Sequence, residues 1–349
     1  MADRRVGKMT NAAVAVMVAP GRIELEDRPV PVPGPGQVLV EVSAVGVCGS
    51  DIHYFTEGRI GDFIVEAPLV LGHEAAGVVA GLGPGVHRLE VGQRVAMEPG
   101  IPCRRCRACR TGHYNLCPDV RFFATPPIDG TFARYVVHDE DFCFPLPDNL
   151  SDDAGALLEP LSVGVWAAWK ARIAVGDRVL VTGAGPIGLL AAAVARASGA
   201  REVIVSDVQE ARLDLARRMG ATGVAVAGST EFAELADQAD VLVECSGSAQ
   251  ALEAGLRALG PAARAVVVGM SPETHVPVAL SLVQRQEVEL TGTFRYANTY
   301  PTAVALASSG AVHLDDLVTG HYGLAQVADA LSVGRRDPLA VKPVVLPGT

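Results

Sequence analysis

The sequence of 349 residues lacks the features by which a chain binds nucleic acid. It has no basic stripe in which arginine or lysine alternates with aromatic residues, and lysine is scarce beside arginine. Its formal net charge of −10 and its isoelectric point near 5.3 would repel a phosphate backbone. We therefore expect no nucleic acid among its partners.

A secretion signal and a membrane-spanning run are also missing. Arg4, Arg5 and Lys8 precede the apolar residues 12–19, but that stretch is short and β-branched and has no small-residue cleavage site. A second apolar run, residues 179–195, is divided by glycines and a proline into a strand, a turn and a helix start. We therefore expect a cytoplasmic protein with no segment in a membrane.

The composition and pattern instead indicate an α/β protein of two domains. Hydrophobic residues make up 49% of the chain, which is long enough for two sizeable cores. Up to about residue 160 the sequence consists of short strands and turns rich in glycine and proline, which predicts an irregular β-rich domain with its chemistry on loops. The strands predicted there are residues 38–47, 75–83 and 94–100.

From about residue 161 strands alternate with helices, which predicts a doubly wound parallel sheet. The predicted strands are residues 178–185, 202–207, 239–247 and 263–270, and the predicted helices are residues 186–198 and 209–219. After residue 292 the pattern is mixed again. A last strand, residues 341–346, could return to the first domain.

Four cysteines in one short segment predict a structural zinc site. Gaps of two residues let a tight loop present several sulfurs to one tetrahedral ion, and four thiolates would fill every coordination position. A pair of disulfides is the alternative, but the thiols of a cytosolic protein stay reduced. The four residues are Cys103, Cys106, Cys109 and Cys117.

A second set of residues, far apart in the chain, has the right types for a catalytic zinc: Cys48, His73, Glu74 and Glu159. A mixed set of thiolate, imidazole and carboxylate typically leaves one position on zinc open for water or substrate. His73 and Glu74 are adjacent, so both can serve one metal only on an irregular loop, which Gly72 allows. Glu159 lies at the predicted domain junction, where a carboxylate would line the cleft.

Polar residues that follow Cys48 predict a path for a proton. Ser50 can lie beside the bound oxygen, and His53 can take the proton outward. Asp51 could accept a hydrogen bond from the ring nitrogen of His73 that does not bind the metal. A structural histidine with no catalytic role is the alternative for His53.

A glycine-rich turn predicts a dinucleotide site. Residues 183–188 fit the motif G-x-G-x-x-G, directly after a strand and at the start of a helix. Gly183 permits the tight turn, Gly185 lets a pyrophosphate approach the backbone, and Gly188 permits close packing of helix and sheet. Asp207 ends the next strand and should accept hydrogen bonds from ribose hydroxyls, which favours NAD over NADP. Arg212 could instead hold a 2′-phosphate.

Several motifs together resemble the zinc-dependent polyol (sorbitol and xylitol) dehydrogenases of the medium-chain dehydrogenase/reductase superfamily. The resemblance covers nearly the whole chain and is specific in the acidic position Glu159, where the related alcohol dehydrogenases carry cysteine. The motifs are CGSDIHY, LGHEAAGVV, the four-cysteine segment, RFFATPPIDGTFARY, EPLSVG, GAGPIG and TGTFRYANTYP.

The resemblance implies a GroES-like catalytic domain of residues 1–160 and 293–349 around a Rossmann domain of residues 161–292. It implies two zinc ions per chain, NAD as cofactor and a homotetramer, with Glu159 bound to the catalytic zinc directly or through water. The implied polyol-binding residues are Tyr54, Phe122, Glu159, Arg295 and Tyr296. The implied NAD-binding residues are Gly183, Gly185, Pro186, Ile187, Gly188, Asp207, Arg212, Val268, Gly269, Met270, Thr293, Phe294 and Arg295.

The expected reaction is oxidation of a polyol hydroxyl to a ketose, with hydride transfer to NAD and with Ser50, His53 and Glu159 as catalytic residues. Two alternatives stay open. One is a dehydrogenase of another secondary alcohol, and the other is a catalytically silent NAD-binding protein. The sequence leaves undecided which polyol is used, which carbon is oxidised and in which direction the reaction runs.

Overall fold

The structure, a computed structural model, describes residues 10–349, so Arg4, Arg5 and Lys8 lie outside the described residues. These residues form two compact units, the first of residues 10–159 and 314–349 and the second of residues 160–313. The sequence places the return to the first domain at residue 293, whereas the second compact unit continues to His313. The predicted domain limits therefore remain a prediction.

Strands dominate the first unit. Its main sheet has seven strands, in which Gln37–Gly46 pairs with Glu74–Leu82, with Tyr135–Asp139 and with the last strand of the chain. The strands of this unit are Asn11–Ala19, Arg22–Pro29, Gln37–Gly46, Arg59–Ile60, Phe63–Ile64, Leu69–Val70, Glu74–Leu82, Arg94–Met97, Gly100–Ile101, Arg121–Phe122, Tyr135–Asp139, Cys143–Pro145, Val318–Gly323 and Lys342–Leu346.

Helices of the first unit are short. They are the α-helices Gly49–Glu57, Arg107–Arg110 and Val327–Ser332, and the 3₁₀ helices Tyr114–Leu116, Glu140–Phe142, Asp315–Leu317, Leu324–Gln326 and Val333–Arg335. The alternating apolar side chains of the strands fill one core in which Val16, Val40, Leu71 and Phe132 are fully buried. The strand Lys342–Leu346 reaches this core from the end of the chain and adds its Val345 to it.

A 20-residue helix, Asp152–Ala171, runs through the residue at which the sequence predicts a change of domain. Two aspartates in its first turn and Lys170 in its last turn suit the helix dipole. Pro160 lies inside this helix, directly after Glu159. A proline there donates no backbone hydrogen bond, and it fixes the backbone next to the carboxylate.

The second unit contains a parallel sheet of six strands, as the alternation of strands and helices predicts. The chain enters at the central strand Arg178–Thr182, adds Glu202–Asp207 and Gly223–Val226 on one side, and then adds Ala239–Glu244, Leu259–Val267 and Glu289–Gly292 on the other. Its helices are Pro186–Ala197, Glu210–Arg218, Thr230–Ala236, Ala249–Arg257, Leu280–Gln286 and Tyr300–Ser308. The strand order reverses beside Arg178–Thr182, and in such sheets ligands bind at the carboxyl ends of the strands next to this point.

No helix within residues 10–349 is both long enough and apolar enough to cross a bilayer.

Buried His138 gives the first unit a pH-dependent stability. Its Nε2 donates a hydrogen bond to the carbonyl oxygen of Glu98 over 2.7 Å, and its ring stacks on Phe123 with centroids 4.6 Å apart. Burial lowers the pKa of His138 from 6.5 to about 4, although the bond to Glu98 opposes the shift. The ring therefore stays neutral in the folded protein at pH values where it becomes charged in the unfolded chain.

His138→Gln is expected to make the protein less sensitive to acid. As the pH falls from 6.5 to 4, His138 becomes protonated in the unfolded wild-type chain but stays neutral in the folded protein. The free energy of unfolding therefore falls by on the order of 3 kcal/mol. Glutamine can keep the bond to Glu98 but does not titrate. Urea unfolding at pH 7 and pH 4.5 should show a smaller loss of unfolding free energy in the variant than in the wild type. Equal losses in the two proteins would contradict the role of His138 in the acid sensitivity.

Candidate metal centre and nucleotide-binding turn

Cys48 stands directly before the helix Gly49–Glu57, where its thiol meets the positive end of the helix. Asp51, at the third helical position, fixes this start because its Oδ2 accepts a 3.0 Å hydrogen bond from the backbone N–H of Cys48. Oδ1 of Asp51 accepts another, of 2.9 Å, from the N–H of Gly72, the residue before His73. One fully buried carboxylate therefore ties together the two loops that carry Cys48 and His73.

His73 and Glu74 reach one site because the chain turns sharply before them. Gly72 has a φ of +85°, and a Cβ there would lie 2.8 Å from the ring of Phe132, so only glycine fits. The Nδ1 atom of His73 lies 3.5 Å from Oδ1 of Asp51, which suits a histidine whose other nitrogen faces a metal. Candidate ligand atoms of Cys48, His73 and Glu74 all lie within 4.8 Å of one another, so they can bind one ion.

Lys342 enters this site from the last strand. Its Nζ donates to both carboxylate oxygens of Glu74, at 2.7 and 2.8 Å, and to the carbonyl oxygen of Val47 at 2.9 Å. Gly46 pairs with Glu74 across the sheet, and a Cβ on Gly46 would lie 2.1 Å from Oε2 of Glu74. The carboxylate therefore occupies space that any other residue at position 46 would fill.

The local charges favour cations at this centre. Burial alone would lower the pKa of Lys342, but the negative charges of Glu74, Cys48 and Glu159 outweigh it and raise this pKa. In the same way burial opposes the charged form of His73, yet Asp51 and Cys48 raise its pKa well above the usual 6.5. This concentration of negative charge fits a divalent ion.

Glu159 is buried, and its charge acts on Lys342 and on Glu98. Within residues 10–349 it is not part of the cluster formed by Cys48, His73 and Glu74. Burial raises the pKa of Glu98 from 4.5 to about 8; the hydroxyl of Tyr114, donating over 2.7 Å, opposes the shift, and the charge of Glu159 adds to it. Glu159 thus belongs to the surroundings of the centre, and direct coordination remains a prediction.

The predicted proton path begins on the helix that follows Cys48. Ser50 is half-buried, whereas His53 is exposed, with its Nδ1 3.4 Å from Oε1 of Glu57. Residues three apart share one face of a helix, so Ser50 and His53 lie on the same side of it. Tyr54, of the same helix, and Phe122 are buried, and the Phe122 ring lies 5.7 Å from that of His73.

The four-cysteine segment folds into a compact lobe whose sulfurs converge. The Sγ atom of Cys109 lies 3.4 Å from that of Cys106 and 3.9 Å from that of Cys103, and all four sulfurs lie within 4.8 Å of one another. Backbone N–H groups of Cys103, Cys106 and Cys109 donate to the sulfurs of Cys117, Cys103 and Cys106. Such bonds stabilise thiolates, and the seven cysteines, all within the described range, are free thiols. The lobe fits a tetrahedral zinc.

Thiol acidities within the lobe differ. Backbone N–H groups of Arg105 and Cys106 lower the pKa of Cys103 to about 6, whereas burial raises the pKa of Cys109 to about 12 and raises that of Cys117. A bound zinc would favour the thiolate form of every ligand.

In the second unit the glycine-rich turn has the geometry that the motif predicts. Gly183 has a φ of +94°, and a Cβ on Gly188 would lie 1.8 Å from the carbonyl oxygen of Gly183. A Cβ on Gly185 would meet nothing within 4 Å, so there is open space above the start of the helix Pro186–Ala197. A pyrophosphate fits this arrangement because the free N–H groups of a helix start attract anions. Ile187 lies in the first turn of this helix.

Asp207 closes the same turn. Its Oδ2 accepts a 2.6 Å hydrogen bond from the N–H of Ala184, and its Oδ1 accepts one of 2.7 Å from the N–H of Gln209. The carboxylate is thereby fixed at the end of its strand, and each oxygen keeps a lone pair for a ligand hydroxyl. Arg212, in the following helix, is half-buried.

The other predicted NAD contacts lie at or beyond the ends of strands in this sheet. Val268, Gly269 and Met270 follow the strand Leu259–Val267, and a Cβ on Gly269 would lie 2.2 Å from the N–H nitrogen of Gly247. Thr293, Phe294 and Arg295 follow the strand Glu289–Gly292.

Arg295 and Tyr296 belong to an irregular segment. Arg295 has a φ of +52°, Asn298 has one of +60°, and the guanidinium of Arg295 lies 5.0 Å from the ring centre of Phe294. Tyr296 is buried beside Tyr300, with ring centroids 6.0 Å apart. Backbone strain of this kind often accompanies a binding segment.

Sequence reasoning missed Lys342. A lysine that precedes a proline on a terminal strand looks like an edge residue, and its partner Glu74 is 268 positions away. The sequence feature that could have drawn attention to Lys342 is the scarcity of lysine, since the chain contains three, at positions 8, 170 and 342. This scarcity does not reveal that Glu74 is its partner.

Comparisons with known proteins agree with this architecture. A model of the alcohol dehydrogenase GroES-like domain matches residues 34–148, and one of the zinc-binding dehydrogenases matches residues 186–309. The sorbitol dehydrogenase of Bacillus subtilis is 42% identical over 327 residues, which cover 92% of this chain and 93% of that one. A probable D-xylulose reductase A of Aspergillus clavatus is 46% identical over 312 residues, covering 86% and 87%.

A solved structure shares the whole fold. L-idonate 5-dehydrogenase of Escherichia coli superposes with a TM-score of 0.90 at 29% identity, covering 96% of this chain and 98% of that one. The fold is therefore that of a zinc-binding dehydrogenase with a GroES-like and a Rossmann-like part, which confirms the predicted fold class. The chain belongs to the zinc-dependent polyol dehydrogenase family of the medium-chain dehydrogenase/reductase superfamily, as its motifs predict.

Proposed function

We propose that the protein oxidises a secondary hydroxyl of a five- or six-carbon polyol to a ketose, with NAD as the hydride acceptor. The convergence of Cys48, His73 and Glu74 is the observation that supports this function, because this mixed set suits a catalytic zinc. The sorbitol dehydrogenases and xylulose reductases that the chain resembles support a polyol as substrate.

The reaction divides between bound groups and protein side chains. Zinc would supply a Lewis acid for the alcohol oxygen, and NAD would take the hydride. Cys48, His73 and Glu74 would hold the metal, with Glu159 close to it. Ser50 would accept the hydroxyl proton and pass it toward His53, whose exposed ring can exchange it with solvent.

The proposed substrate contacts are those that the resemblance implies. Tyr54, Phe122 and Glu159 would contact the polyol, as would Arg295 and Tyr296. Arg295 carries fixed donors that suit vicinal hydroxyls.

A second zinc would occupy the four-cysteine lobe and stabilise it. We further propose a homotetramer in the cytoplasm.

Selection of NAD over NADP is assigned to Asp207. Asp207→Ser is expected to shift the ratio of kcat/KM values for NAD and NADP toward NADP by about five- to 150-fold, the equivalent of about 1–3 kcal/mol. The variant removes both an acceptor for the ribose hydroxyls and a charge that repels a 2′-phosphate. Asp207→Asn is the matched control, since it removes the charge but keeps the shape. An unchanged ratio in both variants would exclude this role.

A substrate panel tests the proposed function. Sorbitol, xylitol, ribitol, galactitol, threonine and 2-butanol are each assayed for NADH and NADPH formation. We expect the highest kcat/KM with a polyol and NAD, and a ketose as the product. Preference for threonine or 2-butanol would replace the polyol assignment by that of another secondary-alcohol dehydrogenase, and no turnover of any substrate would favour a silent NAD-binding protein.

A further inference from the structure

Lys342 and Glu74 form an ion pair that is sealed from solvent. Lys342 is 1% exposed and Glu74 is fully buried, and the three donors of the ammonium are satisfied by the two carboxylate oxygens and by Val47. A buried charge with no partner is strongly unfavourable. Each member of this pair therefore depends on the other unless a different counter-ion is present.

Such a counter-ion has a place beside the pair. Glu74 is one of the three residues whose ligand atoms converge, and each of its oxygens keeps a lone pair after accepting from Lys342. The missing Cβ of Gly46 and the ammonium of Lys342 hold the carboxylate from two directions. Glu74 therefore has its place at the centre without help from a metal.

We propose that Lys342 is a positioning residue, an internal cation that neutralises Glu74 before zinc binds and then shares this carboxylate with the metal. The proposal rests on the proposed function, in which Glu74 helps to hold the catalytic zinc. Two consequences follow. The centre stays assembled in the metal-free protein, and the positive charge of Lys342 weakens zinc binding, since both cations draw on the same carboxylate.

The test compares thermal unfolding of the full-length chain, metal-free and zinc-loaded, for the wild type, Lys342→Met, Glu74→Gln and the double variant. Lys342→Met should lower the Tm of metal-free protein by about 10 °C, because Glu74 loses its partner. With zinc bound the loss should be at most half as large, because the metal replaces the missing charge. By linkage, chelator competition should show tighter zinc binding in Lys342→Met than in the wild type.

The double variant removes both charges and should recover most of the Tm lost by metal-free Lys342→Met. Lys170→Met, at an exposed position of the long helix, is the control; losing its small interaction with the helix dipole should change Tm by no more than about 2 °C and leave zinc affinity unchanged. If Lys342→Met is insoluble, the double variant decides, because recovery of soluble protein supports the pair and continued insolubility overturns it. Equal losses of Tm with and without zinc, or weaker zinc binding in Lys342→Met, would also overturn the proposal.

Glu74→Gln separates this proposal from the proposed function. Wild-type zinc affinity and polyol turnover in Glu74→Gln would overturn the ligand role of Glu74 and, with it, the sharing of the carboxylate with zinc. Weaker zinc binding in Glu74→Gln together with equal Tm losses in Lys342→Met would keep the ligand set and overturn only the role of Lys342.

Discussion

Cys48→Ala is expected to reduce kcat/KM for polyol oxidation by about a thousandfold or more while the protein stays folded. The size of the effect follows from the several kcal/mol that a zinc ion contributes to stabilising the transition state, at 1.36 kcal/mol for each factor of ten. Folding should survive because the backbone N–H of Cys48 still donates to Asp51 and the helix Gly49–Glu57 keeps its start. The measurements are steady-state kinetics, zinc content and circular dichroism.

Cys143→Ala is the matched control. Cys143 is a buried core cysteine outside both candidate metal sites, so Cys143→Ala should lower stability somewhat and activity little. Near-normal turnover of Cys48→Ala would remove this residue from the catalytic centre.

Cys106→Ala is expected to lower the stability of the protein much more than its catalytic activity. Zinc binding contributes about 10–16 kcal/mol to small structural zinc sites, and the lobe has little apolar core of its own, because its helix Arg107–Arg110 buries none of its residues. We therefore expect the loss of one zinc per chain, a lower Tm and faster hydrogen exchange across residues 103–117.

Activity in Cys106→Ala should fall much less than in Cys48→Ala. Among its contacts with the rest of the unit, the lobe reaches Glu98 through the hydroxyl of Tyr114, so some effect on KM is expected. Unchanged zinc content and Tm would mean that the four thiols hold no metal.

The sequence predicted the features that depend on neighbouring residues. The spacing of the four cysteines, the turn Gly183–Gly188 and the position of Asp207 at a strand end are local patterns, and the structure contains all three. Alternation of strand and helix predicted the parallel sheet for the same reason. Short spacings along the chain determine which side chains can meet within one turn, so features of this kind can be read from the sequence.

Of the features that depend on distant residues, the sequence predicted the grouping of Cys48, His73 and Glu74, but it missed others. The last strand was expected to return to the first domain, and it does so. Its pairing with Gln37–Gly46, which brings Lys342 to Glu74, is indicated by no local pattern. The short helix Gly49–Glu57 forms in a region with little helical periodicity, because Asp51 caps it. The helix Asp152–Ala171 continues through Pro160, where the change in pattern suggested a domain boundary.

The central claim is that one zinc, held by Cys48, His73 and Glu74, is required for polyol oxidation with NAD. The most direct test removes zinc from purified enzyme with a chelator and titrates it back, recording bound zinc per chain and the rate of NADH formation with sorbitol or xylitol. The account predicts two bound zinc ions in the wild type and one in Cys48→Ala, with activity that follows the ion absent from that variant. A metal-free chain that oxidises the polyol at the wild-type rate would contradict it.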